Sequence, residues 1–161
     1  MLKFAKHITL VLLLLSLTSL LPTEVSAQEN KSQLAFEYYR NQDFEKSAVL
    51  FLELYKERNN TYYRTYYIQS LVKSEQLNEA EKFVNRELRR NKNDIDLKIE
   101  QAYIFEIQGE KDKAERSYND IIQQGSITPN SVKNLANNFI RKRKYEWAEK
   151  TYLAGQKNIT P

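Results

Sequence analysis

The sequence of 161 residues has no cysteine, and its only histidine is His7. No disulfide can form, and the chain after its N-terminal segment can supply neither a Cys/His zinc site nor Ser-His-Asp or Cys-His catalysis. The three glycines, Gly109, Gly125 and Gly155, lie far apart, so they cannot form a glycine-rich phosphate-binding loop. These absences predict a protein without a metal or another cofactor.

Carboxylates are the remaining candidates for acid–base chemistry. Nearly every Asp and Glu stands beside Lys or Arg in a polar stretch with helical spacing, which favours a solvated face over a catalytic pair. A carbohydrate-processing site would need two carboxylates roughly 5–10 Å apart in a cleft. No pair in the sequence suggests such a site, so we expect no enzyme activity.

The N-terminus has the parts of a secretory signal peptide. Lys3 and Lys6 precede the apolar run ITLVLLLLSLTSLL, and the small residues Ser26 and Ala27 follow it. The apolar run is shorter than the ~20 residues that a membrane-spanning helix needs. We predict a signal peptide at residues 1–27, secretion into the periplasm of a Gram-negative-type bacterium, and no stable membrane span after cleavage. The alternative is an uncleaved N-terminal anchor in the inner membrane, with the rest of the chain facing the periplasm.

The charge of the chain is mildly basic. Its formal net charge is +4, and it is +3 without residues 1–27, which carry Lys3, Lys6 and Glu24. Nucleic-acid-binding domains usually have a stronger and clustered basic bias, so we expect no nucleic-acid partner. The basic run from Arg141 to Lys144 is predicted to be a solvated turn whose charges favour a helix C-terminus.

The chain after the signal peptide contains an internal repeat of 33 or 34 residues. Its four copies include the segments NQDFEKSAVLFLEL, SEQLNEAEKFVNRE, QGEKDKAERSYNDI and KRKYEWAEKTYLAG. Four columns keep the spacing: Ala35, Ile68, Ala102 and Ala136; Tyr38, Leu71, Phe105 and Phe139; Ser47, Ala80, Ala114 and Ala148; Phe51, Val84, Tyr118 and Tyr152. Apolar residues recur at helical spacing around short polar turns, which predicts two helices per repeat. Gly109 fits a helix C-terminus, where a left-handed residue is needed.

The period, the helix pair and the four columns resemble the tetratricopeptide repeat over about residues 28–161. The resemblance implies an all-α fold: a right-handed superhelical solenoid of about four helix-turn-helix repeats that follows the signal peptide. The implied repeats are about 28–60, 61–94, 95–128 and 129–161. Three residues depart from the family pattern: Ile68 is large at a small-residue position, and Glu87 and Gly155 stand where the family has a small or apolar residue. No repeat has proline at the position near the repeat end where the family often has one.

In this family, some first-helix positions pack between repeats and others line a concave face. The stretch TYYRTYY at residues 61–67 is divided by this pattern. Tyr63 and Tyr67 would pack, whereas Tyr62 and Tyr66 would face the groove, either to bind a ligand or to cover the neighbouring repeat. The candidate groove residues implied by the resemblance are Phe36, Tyr39, Tyr62, Tyr66, Gln69, Asp96, Tyr103, Lys133 and Asn137, with Ile99, Glu106 and Ile140 beside them.

This groove is aromatic and of mixed charge, which suits an extended peptide or a partner helix. Lys133 and Asn137 match positions that hold a terminal carboxylate in clamp-type members of the family. That clamp also draws on two further repeats, so we do not expect it here. The sequence therefore favours a non-catalytic scaffold in the cell envelope that binds a peptide or a partner protein.

The alternative function is structural. The chain would be an assembly segment of a longer envelope protein, acting through repeat stacking or oligomerisation. Tyr145, Trp147 and Tyr152 of the last repeat are expected to face solvent in part, since terminal repeats usually need a polar cap. Self-association, or further repeats at the C-terminal end, would cover them.

Overall fold

The computed structural model describes residues 23–159, which form α-helices joined by short turns. The helices are α1 (Thr23–Arg40), α2 (Phe44–Arg58), α3 (Thr61–Lys73), α4 (Leu77–Arg90), α5 (Ile95–Ile107), α6 (Lys111–Gly125), α7 (Pro129–Arg141) and α8 (Tyr145–Ile159). No strand occurs within this range. None of the helices that the structure describes is long and apolar enough to cross a membrane. The all-helical prediction is confirmed, and consecutive helices pack as pairs.

The helix starts follow the period of the sequence. The first helices of the last three pairs begin at Thr61, Ile95 and Pro129, which are the predicted starts of repeats two, three and four. The first pair differs, because α1 begins at Thr23 and so before the predicted repeat start at residue 28. Most of the predicted signal peptide, residues 1–22, lies outside the described residues.

The turn inside each helix pair has the same backbone structure four times. One residue of each turn is left-handed: Gln42 at φ 63°, Glu75 at 61°, Gly109 at 85° and Arg143 at 57°. The next amide donates to the carbonyl five residues earlier at 2.9 Å in each pair: Asp43 to Tyr38, Gln76 to Leu71, Glu110 to Phe105, and Lys144 to Phe139. This bond belongs to the Schellman motif, which satisfies the last carbonyls of a helix. The prediction for Gly109 is confirmed. The left-handed residue and its hydrogen bond recur along the backbone with the same period as the repeat in the sequence.

The first helices of the later pairs begin with side-chain caps. The Asn60 amide oxygen accepts from the backbone N–H of Tyr62 at 2.8 Å. The Asp94 carboxylate accepts from the third amide of α5 at 3.0 Å. Thr128 and Ser131 form a reciprocal capping box around the start of α7. Each cap satisfies an N–H that has no partner inside its helix, which fixes where that helix starts.

The described helices form two compact units, residues 23–70 and residues 71–159, and α3 carries the end of the first and the start of the second. In the first unit, Ala35, Phe51 and Leu54 are fully buried. The hydroxyls of Ser47 and Ser70 share a buried hydrogen bond of 2.7 Å that joins α2 to α3. A polar contact between two small side chains thus lies inside an aromatic and aliphatic core.

The second unit has a core that α5, α6, α7 and α8 share. Its members are Ile99, Ala102, Phe105, Ala114, Tyr118, Ile121, Ile122, Leu135, Ala136, Phe139 and Ala148. The alanines of the two small-residue columns are at most 4% exposed here. Small side chains at these positions let the helix backbones approach each other, and the large residues fill the space beside them.

Gly155 marks a close approach between α8 and α7. A Cβ atom on Gly155 would lie 2.6 Å from Cγ2 and 3.0 Å from Cγ1 of Val132. These distances are shorter than carbon–carbon contact, so the two helices pack with no room for a side chain at this position.

Gly155→Ala is expected to lower the free energy of unfolding by about 1–3 kcal/mol, because its methyl group would overlap Val132. Alanine is otherwise favoured over glycine in a helix by about 1 kcal/mol. In a Val132→Ala background the overlap is removed, and the same Gly155→Ala change is expected to stabilise the protein. Urea unfolding of the parent, both single variants and the double variant measures this change of sign. An equal effect of Gly155→Ala in both backgrounds would contradict the close approach.

Candidate functional site

Aromatic rings from α1, α2 and α3 meet in the first unit. We call them the aromatic cluster: Phe36, Tyr39, Phe44, Phe51, Tyr62, Tyr63 and Tyr66. The Phe36 ring contacts Phe51 and Tyr66 edge-on, with ring centres 4.9 and 4.8 Å apart. Tyr66 stacks on Phe51 at 5.2 Å and contacts Tyr62 at 5.0 Å. These are favourable aromatic geometries, so neighbouring rings hold each ring in place.

The aromatic cluster has an inner and an outer layer. Phe51 is fully buried, and Tyr63 is 7% exposed. Phe36, Tyr39 and Tyr66 are half-buried, and Tyr62 is 52% exposed. The outer layer is therefore an accessible aromatic surface whose rings are supported from beneath.

The two sides of TYYRTYY are separated as the sequence predicted. Tyr63 and Tyr67 are buried, at 7% and 5% exposure, whereas Tyr62 and Tyr66 belong to the outer layer. In an α-helix, residues i and i+4 lie on one face, so adjacent tyrosines point to different sides. Tyr63 also donates a hydrogen bond from its hydroxyl to Ser32 at 3.3 Å, which ties α3 to α1.

The polar atoms of the outer layer are uncharged. The Tyr39 hydroxyl donates to the Gln69 amide oxygen at 3.0 Å. Burial, and then a hydrogen bond with Tyr66, raise the pKa of the Tyr62 hydroxyl. Tyr62 therefore stays neutral at physiological pH and keeps a proton to donate. The structure thus brings five predicted groove residues together on one surface of the first unit: Phe36, Tyr39, Tyr62, Tyr66 and Gln69.

The other predicted groove residues lie in the second unit. Asp96 of α5 forms an ion pair of 3.4 Å with Arg141, and Tyr103 of α5 is half-buried. Lys133 and Asn137 are exposed on α7. The expectation that Ile99 lines the groove is wrong: Ile99 is fully buried, because it belongs to the core that α5 shares with α6, α7 and α8.

Carboxylates of α5 hold the basic turn between α7 and α8. Lys142 donates to Glu100. Lys144 donates to both oxygens of Glu106, at 2.7 and 2.6 Å, and its ammonium lies 4.8 Å from the centre of the Tyr103 ring. Charge-assisted bonds of this kind are stronger than neutral ones, so they fix the turn against α5.

Two predictions about charge are wrong at particular residues. The turn from residue 141 to 144 is not wholly solvated, since the side chains of Lys142 and Lys144 are 17% and 16% exposed. The acidic residues are not all on a solvated face, since Glu87 and Glu100 are each 5% exposed. Glu87 is paired with Arg90 at 3.0 Å. These residues can be buried because each carboxylate has a cation beside it.

Tyr118 completes the charged network from inside the core. Its hydroxyl donates to Glu106 at 3.2 Å, and its ring lies 4.8 Å from Trp147 and 5.8 Å from Phe139. Burial, and then the negative charge of Glu106, raise the pKa of Tyr118 well above its usual range. Glu106 thus accepts from a neutral hydroxyl and from the Lys144 ammonium, so it links α5 to α6 and to the turn before α8.

Sequence reasoning missed the support beneath the candidate site. The rings of Phe44 and Phe51 contact the predicted groove residues Tyr39, Phe36 and Tyr66. The signal in the sequence that indicates a packing role for Phe51 is its membership of a repeat column. Within residues 23–159, no group of three or more His, Cys, Asp or Glu side chains is arranged to hold a metal ion.

No protein-family model matches the sequence, and no curated protein is significantly similar to it. The aromatic cluster and the repeat columns are therefore the observations from which a function is inferred.

Lys142→Met is expected to lower the free energy of unfolding by about 3–5 kcal/mol, because Glu100 would stay buried without its cation. The double variant Glu100→Leu/Lys142→Met should recover most of this loss. Arg141→Met is the matched control, since its pair with Asp96 is exposed, and it should cost less than about 1 kcal/mol. Urea unfolding measures all four proteins. Similar losses for Arg141→Met and Lys142→Met would contradict the difference in burial.

Proposed function

We propose that the chain is a non-catalytic scaffold of the tetratricopeptide class that binds an extended peptide segment of a partner protein on the aromatic cluster. Class membership and the right-handed superhelical arrangement belong to this proposal. Two observations support class membership: the left-handed turn that recurs in each helix pair, and the burial of the small-residue columns.

The exposed ring of Tyr62 is the observation that carries the proposal. It is 52% exposed, yet it contacts Phe36 at 5.6 Å and Tyr66 at 5.0 Å between ring centres. A ring that is already held in place loses little conformational entropy when a ligand covers it. Tyrosine in such a position also offers a large contact area, which is why it is enriched at binding hot spots.

The chemistry of the surface selects the kind of ligand. Its rings offer flat apolar area, and its polar groups are the hydroxyls of Tyr39, Tyr62 and Tyr66 and the amide of Gln69. Hydroxyls and amides can pair with the N–H and C=O groups of an extended peptide, while its apolar side chains lie on the rings. None of these groups is a carboxylate, an ammonium or a guanidinium, so the proposed ligand segment is apolar or uncharged rather than acidic or basic.

The partner is identified by placing a photo-reactive amino acid at position 62 in the producing cell, with position 145 as the control. Tyr145 is a second exposed tyrosine, at 63%, and it lies on α8. Cross-links that form from position 62 and not from position 145 are mapped by mass spectrometry. The mapped partner segment is then synthesised as a peptide for titration.

Tyr62→Ala is expected to weaken binding of that peptide at least about tenfold, since truncation of a hot-spot ring costs more than 1 kcal/mol. Tyr62→Phe should weaken it less than about threefold, because the ring area is kept and one hydrogen bond is lost. Tyr145→Ala, the matched control, should leave the affinity unchanged. Isothermal titration calorimetry measures the affinities, and circular dichroism checks helicity. Full affinity in Tyr62→Ala, or an equal loss in Tyr145→Ala, would contradict the proposed site.

Secretion into the periplasm is also part of the proposal, with an inner-membrane anchor as its alternative. It is supported by Lys3, Lys6, the apolar run and the small residues at 26–27. Expression of residues 1–161 in a Gram-negative host should give a periplasmic protein whose intact mass corresponds to a chain starting at Gln28. Ala27→Lys should block cleavage and keep the protein at the membrane, since the residue before the cut must be small. An uncleaved parent protein in the cytosol would contradict secretion, and an uncleaved parent in the inner membrane would favour the anchor.

A further inference from the structure

Helix α8 carries a stripe of large apolar side chains that are accessible among the described residues. Tyr145 is 63% exposed, Tyr152 is 46% exposed and Leu153 is 51% exposed. Successive residues of an α-helix are about 100° apart, so these three side chains lie within one sector of roughly 100°. We call these three residues the α8 stripe.

Other members of the Tyr152 column show what normally covers this position in the fold. Phe51, Val84 and Tyr118 occupy the same column, and each is at most 1% exposed. Tyr118 is covered by Phe139 and Trp147 of the following helix pair. Tyr152 therefore exposes a side chain at a position that the other three helix pairs bury, and Tyr145 and Leu153 extend the apolar surface on either side of it.

Charged residues beside the α8 stripe indicate which helix would cover it. Glu146 lies near the start of α8, with its side chain 74% exposed and paired with Lys150 of the same helix at 2.8 Å, and Lys157 is exposed near the end of α8. The two residues lie about three turns apart on the same side of the helix, next to Leu153. When two copies of α8 pack antiparallel around a two-fold axis, Glu146 of each copy faces Lys157 of the other. Glu146 and Lys157 are thus complementary to their symmetry mates in charge, as an isologous interface requires.

A head-to-tail contact is less well matched. A contact of the α8 stripe with α1 of another copy would meet one exposed large apolar residue, Leu34, among the described side chains of α1. The antiparallel contact instead places apolar stripes from both copies against each other. A two-fold arrangement is also closed, whereas a head-to-tail contact generates a ring or a filament.

We propose that the protein forms a two-fold symmetric dimer in which α8 packs antiparallel on α8 of a second copy. The stripe is small beside the ~800 Å² that each partner buries in a standard interface. Glu149 also lies within the sector, between Tyr145 and Leu153, and its charge opposes close apolar contact. The dimer is therefore weak, with a Kd on the order of 10–100 µM. This proposal rests on α8 alone and is independent of peptide binding.

Sedimentation equilibrium of the purified protein over about 1–500 µM tests the dimer. The parent should pass from monomer to dimer and gain no further mass. Leu153→Lys should raise the Kd at least about tenfold, because two buried leucines are replaced by opposed cations. Val49→Lys is the matched control: Val49 is 58% exposed on α2, and the same change there should leave the Kd unaltered. A monomer at all concentrations, growth beyond a dimer, or equal effects of the two lysines would overturn the proposal.

A charge swap tests the antiparallel packing itself. Glu146→Lys and Lys157→Glu should each raise the Kd by about 3- to 10-fold at low salt, since each places like charges opposite each other twice per dimer. The double variant restores both pairs and should return the Kd to near the parent value. Circular dichroism checks that α8 keeps its helicity without the Glu146–Lys150 pair of 2.8 Å. A double variant as weak as the singles, or singles with unchanged Kd, would overturn the antiparallel arrangement.

Discussion

The geometry of every helix pair depends on one backbone hydrogen bond, from the amide after the left-handed turn residue to the carbonyl five residues earlier. Its length is 2.9 Å in all four pairs. A left-handed residue that is not glycine costs roughly 1–2 kcal/mol, and three of the four turns bear this cost at Gln42, Glu75 and Arg143. The turn persists because it satisfies a carbonyl at the helix end and returns the chain at a fixed angle. That fixed return keeps the small-residue columns at the helix crossings.

The aromatic cluster is a consequence of this arrangement in the first unit. Phe51 belongs to a repeat column, so it is a packing residue. Because its ring contacts Phe36 and Tyr66 from beneath, it also supports the accessible surface that these rings form. Tyr62 gains its exposed position from the same helix that buries Tyr63. The packed core and the candidate binding surface are therefore opposite sides of one layer of rings, and the proposed binding would require no rearrangement of the rings to present a surface.

In the second unit, ion pairs and charge-assisted hydrogen bonds hold a surface helix in place. Glu106 accepts from Tyr118 inside the core and from Lys144 in the turn that precedes α8. Glu100 is buried with Lys142 beside it. Because a buried carboxylate is costly without its cation, the turn is fixed to α5 and cannot shift without a large loss. The position of α8, and with it the surface that α8 presents, therefore depends on charges that a solvated turn would not provide.

The helices, their pairing and the burial of the small-residue columns could be predicted from the sequence, because helical spacing and a period of 33 or 34 residues are visible in the order of the residues alone. The resemblance to the tetratricopeptide repeat also implied that Tyr62 and Tyr63 lie on different faces of one helix, and Tyr63 is indeed buried while Tyr62 is exposed. The burial of Ile99 and the ion pairs of Lys142 and Lys144 could not be predicted from the sequence, because burial and pairing depend on which helix lies opposite. The left-handed conformation of Gln42, Glu75 and Arg143 could not be predicted from the sequence either. These residues have no intrinsic preference for that conformation and adopt it when helix packing requires it.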